Sequence, residues 1–188
     1  MNIQRIVEKH DVRIATIANH NDWVKTKARE IDLDKEIYLA EHFDNISKYF
    51  RELYRFAGVS SNNIYWNFTQ IPIRIIYIPI TIGKYITVIN PKILKMEGKD
   101  VSTVEGCGSV PDNNYIVRRK PFVSLSGYTL DKHYAELEYG SKDYDAGQEP
   151  VFASYNNKEW IIQHEMDHLD GITIKDKGTV FDLNSLME

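Results

Sequence analysis

Leu39, Phe43, Ile46, Phe50, Leu53 and Ala57 recur at spacings of three and four, which predicts an amphipathic helix with one buried stripe. Gly58 follows the last of them and is expected to stop it. Beyond Gly58 the texture changes to Ile, Val and Tyr. Ile73–Ile80 and Tyr85–Ile89 read as strands around a turn at Gly83, and Asn90-Pro91 is expected to end the second. Phe122–Leu130 and Tyr134–Tyr139 read as a hairpin across Asp131-Lys132-His133, with a further strand near Pro150–Ser154. A last helix is expected from Asn156, with Asn156 as its cap and Glu159 completing a capping box. Trp160, Ile161, His164, His168 and Leu169 then fall at helical spacing, and Gly171 closes the segment. Residues 1–38 give weak signals, and the charged run Val24–Asp34 reads as a solvated surface segment. Segregated helices and strands with hairpin connections predict an α+β fold: an N-terminal amphipathic helix, then mainly antiparallel sheets around a central C-terminal helix.

Composition narrows the class. The chain has 188 residues, with no internal repeat and no Pro/Gly/Ser-rich linker, so one domain over 1–188 is expected. Its 43% apolar and 27% charged residues exclude disorder by composition. A net charge of −4 disfavours direct nucleic-acid binding through phosphates. The apolar run around Ile71–Ile82 is broken by Pro72, Arg74 and Pro79, so no membrane span is expected. Met1–Asp11 is polar and lacks a signal-peptide texture, which makes the cytoplasm the expected location.

Two features carry chemistry. Cys107 is the only cysteine and cannot form an internal disulfide, leaving a buried small hydrophobe, a nucleophile or a metal ligand. On the predicted C-terminal helix, His164-Glu165-Met166-Asp167-His168 spells HExxH. Residues four apart share a helix face, so both imidazoles can reach one cation, while Glu165 projects beside it as a proton carrier. By itself the pattern also arises by chance on ordinary helices. A His/His/Cys set with water in the fourth position is the open, catalytic kind of site, and a metal-bound thiolate accounts for a lone cysteine.

Glu105-Gly106-Cys107-Gly108-Ser109 and the stretch from Gln163 through Gly171 resemble the second and third signature motifs of peptide deformylases, Glu-Gly-Cys-x-Ser and Gln-His-Glu-x-Asp-His-Leu-x-Gly. They occur in order, 57 positions apart from Cys107 to His164, and a looser resemblance runs from about residue 20 to 176. The strand leading to Ile89-Asn90-Pro91 is similar to the family, and so is Arg119, placed to pair with Glu105. The resemblance implies removal of the formyl group from the N-terminal formyl-methionine of nascent polypeptides. It implies one divalent metal ion on Cys107, His164 and His168, natively Fe(II), with Zn, Ni or Co as substitutes. It further implies Glu165 as general base then acid, and the Gly108 backbone N–H facing the oxyanion. Gln163 and Asp167 would support the ligands from behind. Formyl-methionyl nascent peptides and the ribosome are the implied partners, and a monomer is expected.

The first motif departs. Where the family has Gly-x-Gly-Leu-Ala-Ala-x-Gln, this chain has Phe56-Ala57-Gly58-Val59-Ser60-Ser61-Asn62-Asn63. Asn63 keeps the amide of the family's glutamine but is one methylene shorter, and an oxyanion donor that falls short costs on the order of 10²–10³ in rate. Asn62-Asn63 also reads as a plain turn after a helix. Gly108 stands where leucine is commonest, and Asn114 where many members have a basic residue. The methionine pocket is expected to involve Gly58, Val59, Trp160 and Ile161, made shallower by the large Trp160. These departures keep open a hydrolase of another N-acyl substrate, or a catalytically weakened peptide-binding relic. A zinc endopeptidase is disfavoured, because no histidine follows His168 and Glu188 is too near the end to act as a distant ligand.

Overall fold

The computed structural model describes residues 3–81, 83–147 and 149–182. Its helices are α1 (Ile3–Lys9), α2 (Asn21–Lys25), α3 (Ile37–Tyr54), α4 (Lys158–Leu169) and α5 (Ile174–Lys177). Its strands are β1 (Arg13–Ile14), β2 (Val59–Ser60), β3 (Ile64–Tyr65), β4 (Ile75–Thr81), β5 (Lys84–Glu97), β6 (Val101–Cys107), β7 (Val110–Arg119), β8 (Phe122–Tyr128), β9 (Tyr134–Gly140), β10 (Val151–Phe152) and β11 (Thr179–Val180). A five-stranded antiparallel sheet has the order β2-β4-β5-β8-β9. A four-stranded sheet has the order β10-β6-β7-β11, with β10 parallel to β6 and the other pairs antiparallel. The expected α+β architecture is therefore observed.

The middle of the larger sheet is buried on both faces, which explains why β4 reads as a continuous apolar run rather than an alternating one. Ile75 and Tyr77 join the core beneath α3, with Leu39, Phe43, Ile46, Phe50 and Trp66. Their neighbours Ile76 and Ile78 point the other way, into a core with Val88, Val123, Leu125 and, from α4, Ile162, Met166 and Leu169. Positions 162, 166 and 169 form one stripe of α4. That leaves Ile161, His164, Glu165 and His168 for its other side, toward β6.

Several expectations are corrected. α3 ends at Tyr54, not at Ala57: Arg55 takes the left-handed conformation at φ 59°, and its N–H bonds to Arg51 O. Gly58 therefore does not stop the helix, and Leu53 in the last turn is exposed. Asn90-Pro91 does not end a strand. Asn90 at φ 50° sits at a bulge, where the pairing of β5 with β8 shifts between Ile89 and Lys92, and β5 continues to Glu97. The segment Val24–Asp34 is not merely solvated, because Val24, Ala28 and Ile31 are buried. Ala28 N–H bonds Leu169 O, Arg29 bridges to Ile73, and Ile31 exchanges hydrogen bonds with the Asn90 amide. The segment thus straps the end of α4 to the sheet, its charges spaced between inward positions. α4 is preceded by Asn157 rather than Asn156, and the Asn157 side chain accepts from Ser154 instead of capping. The capping box with Glu159 does not form, and Glu159 is buried. The hairpin of β6 and β7 had no forecast. The polar Asp112-Asn113-Asn114 stretch, exposed on the small sheet, hides it from a reading based on apolar runs.

Candidate metal centre

Three elements converge on one point. β6 ends at Cys107, and the Gly108-Ser109 turn leads straight into β7. One helical turn apart on α4 stand His164 and His168. Cys107 Sγ lies 3.2 Å from His168 Nε2, which lies 3.1 Å from His164 Nε2. The three ligand atoms are all within 4.8 Å of one another.

The surroundings fix how these atoms point. His164 Nδ1 lies 2.9 Å from Glu105 Oε2, so its proton is committed to a carboxylate and Nε2 presents a lone pair. Glu105 is clamped by Arg119, whose Nε and Nη2 each donate at 2.8 Å. Arg119 also donates to Asp167, which accepts from Lys177 as well. Glu105 and Arg119 are almost wholly buried, and pair as the resemblance anticipated. Gln163 ties α4 to the link between β7 and β8 instead: Oε1 accepts from Lys120 N–H, and Nε2 donates to Lys120 O and Glu159 O.

Electrostatics match a cation site. Burial alone would raise Glu105, but Arg119 and His164 outweigh it and hold the carboxyl well below the usual range. Burial also favours the neutral thiol of Cys107, yet the neighbouring imidazoles hold it far below an ordinary cysteine, as the thiolate that ligates metals. Against the same burial, Cys107 and Glu105 raise His164. Two anions facing two imidazoles create a demand for positive charge that a divalent ion meets. The soft sulfur and two nitrogens suit Fe(II), Zn, Ni or Co. Next to the ligands, burial raises the Glu165 carboxyl, partly offset by His164 and His168, and its Oε2 has no hydrogen-bond partner among the described residues.

These groups border a cleft of about 360 Å³, at the small end of ligand pockets. Of the residues singled out in the sequence, Gly58, Asn63, Cys107, Gly108, Trp160, Ile161, His164 and Glu165 line it. His168 is buried behind them. Val59 does not line the cleft; its side chain is in the core beneath α3. Trp160 is fully buried, edge-on to Tyr144, and forms a wall without filling the space. Sequence reasoning missed Ile14, Arg55, Ala153 and Tyr155 as lining residues. Tyr155 donates its hydroxyl to Arg55 O, joining the loop before α4 to the loop after α3. No local pattern marks such a contact across 100 residues.

Two glycines shape the cleft. A Cβ at Gly58 would lie 2.7 Å from Ile161 Cγ2 and 2.9 Å from Glu165 Oε1. A Cβ at Gly108 would lie 3.0 Å from the Phe56 ring, so the bulk at position 56 is matched by its absence at 108. Asn63 occupies a short 3₁₀ turn, Ser61–Asn63, and lines the cleft as well. Asn62 is structural, its amide donating at 2.8 Å to Thr26 O.

A family model described as polypeptide deformylase matches residues 13–182. A peptide deformylase of Flavobacterium psychrophilum is 36% identical over 95 residues, 50% of this chain and 41% of that protein. One of Syntrophomonas wolfei is 37% identical over 108 residues, 57% of this chain and 60% of that protein. The chain thus spans about half the length of the relatives it matches. Among solved structures, the peptide deformylase of Thermotoga maritima aligns with a TM-score of 0.67 at 20% identity, covering 89% of this chain and 97% of that one. A probable peptide deformylase of Synechococcus phage S-SSM7 aligns with a TM-score of 0.67 at 24% identity, covering 88% and 99%. These likenesses establish the shared fold.

Proposed function

The chain belongs to the polypeptide deformylase family, and from that premise we propose that it hydrolyses the N-formyl group of formyl-methionyl peptides. The observation that carries this reading is the convergence of Cys107 Sγ, His164 Nε2 and His168 Nε2 at the floor of a cleft that also holds the Glu165 carboxyl. A divalent ion, which those three atoms would hold, would supply a Lewis acid and lower the pKa of water at the site toward neutral pH. Glu165, whose carboxyl burial raises, takes the proton from the attacking water and returns it to the leaving amine. The Asn63 amide and the Gly108 N–H face the developing oxyanion. The apolar wall of Phe56, Trp160 and Ile161 receives the first side chain, with Gly58 keeping the way open. Fe(II) is the proposed native metal. The enzyme works as a single-domain monomer in the cytoplasm, on chains emerging from the ribosome. No helix among the described residues is long and apolar enough to cross a membrane.

The test is formate release from a formyl-Met peptide by protein purified anaerobically and assayed for metal. Formate release with about one metal per chain is expected; its absence in metal-loaded protein overturns the reading. A second reading, a different N-acyl substrate, is favoured by the short Asn63 and the large Trp160, both of which line the cleft. Acetyl peptides in the same assay separate the two.

A further inference from the structure

Ser60 is fully buried at the end of β2, where pairing with Ile76 fixes its backbone. Its N–H and its hydroxyl both donate to Asn63 Oδ1, at 2.8 and 2.6 Å. An amide oxygen has two lone pairs, so Oδ1 is saturated and the amide cannot turn over. Nδ2 is thereby aimed the other way, giving one hydrogen to Ser109 Oγ at 3.0 Å. No other acceptor among the described residues takes its second hydrogen, on a residue that lines the cleft. One buried serine therefore fixes, through two hydrogen bonds, the amide that borders the reacting space.

Resting on the hydrolase reading above, we propose that Ser60 is a positioning residue: it locks the Asn63 amide with one N–H presented to the oxyanion. Ser60 and Asn63 together form a donor unit, with Ser109 as its second brace. A turn cap serving only the fold would satisfy the same hydrogen bonds, and the variants below separate the two roles.

In zinc-loaded protein, Ser60→Ala is expected to lower kcat by about 10- to 100-fold, leaving KM within about 3-fold and metal content unchanged. Asn63→Gln alone is also expected to lose kcat, because the longer amide meets the Ser60 anchor. The double variant Ser60→Ala/Asn63→Gln is expected to recover to within about 3-fold of the parent, since the longer amide no longer needs the anchor. Unchanged kcat in Ser60→Ala, or a double variant no better than Ser60→Ala, overturns the proposal. A readout that needs no turnover is the ¹⁵N–¹H signal of the Asn63 side-chain amide, whose hydrogen exchange is expected to quicken by about 10-fold or more in Ser60→Ala. Unchanged exchange overturns the positioning role, whereas quickened exchange in a protein that releases no formate overturns the formyl-peptide reading instead.

Discussion

At the residue scale, the site divides into groups whose chemistry is local and groups whose role depends on folding. HExxH was legible because four residues of helix bring His164 and His168 to one face whatever surrounds them. Cys107 stood out because it has no disulfide partner. Phe56 and Tyr155 were not legible in these roles, because each acts through a contact made only when distant segments meet: Phe56 over Gly108, Tyr155 on Arg55. Glu165→Gln is expected to retain metal and lower kcat by about 10²-fold or more, checked by metal analysis alongside steady-state kinetics. Arg119→Leu strips the buried Glu105 of its cationic clamp, leaving it the His164 and Thr103 hydrogen bonds. It is expected to cost about 3–5 kcal/mol in denaturant unfolding, and to weaken metal binding by about 10- to 100-fold as His164 loses its fixed partner.

At the scale of elements, the strands of the large sheet were read from Ile, Val and Tyr content, and the pairing of β8 with β9 followed from its turn. Boundaries failed where tertiary contacts override local signals. Asn90 continues β5 because its side chain exchanges hydrogen bonds with Ile31 while its backbone N–H bonds Arg74 O. Gly171 was read as a helix stop, and does follow α4, with φ +74°. Its Cβ would lie 2.3 Å from Lys25 O, in the strap that crosses the helix end. Gly171→Ala is therefore expected to destabilise by more than about 1 kcal/mol in thermal unfolding. Gly83, with φ +76° but nothing within 4 Å of its Cβ, is expected to tolerate alanine better. Equal losses at the two sites would contradict the contact argument.

At the scale of the whole molecule, one sheet buried between α3 and α4 sets both stability and the position of the site. The stripe of α4 that packs on the sheet holds the opposite stripe against β6. Tyr77 reports on the α3 side: burial pushes its hydroxyl up to about 12. The native state then holds this proton more tightly than the unfolded chain, whose tyrosine titrates near ~10. This contribution to stability is full below about pH 10 and is lost as pH rises through about 12. Urea midpoints measured across that range should fall in the parent, and less steeply in Tyr77→Phe.

X-ray absorption fine structure of the zinc-loaded protein bears most directly on the shared coordination of Cys107, His164 and His168. The expected result is one sulfur at ~2.3 Å and two imidazole nitrogens at ~2.0–2.1 Å, with the sulfur shell lost in Cys107→Ala. A first shell of nitrogen and oxygen alone in the parent protein would contradict it.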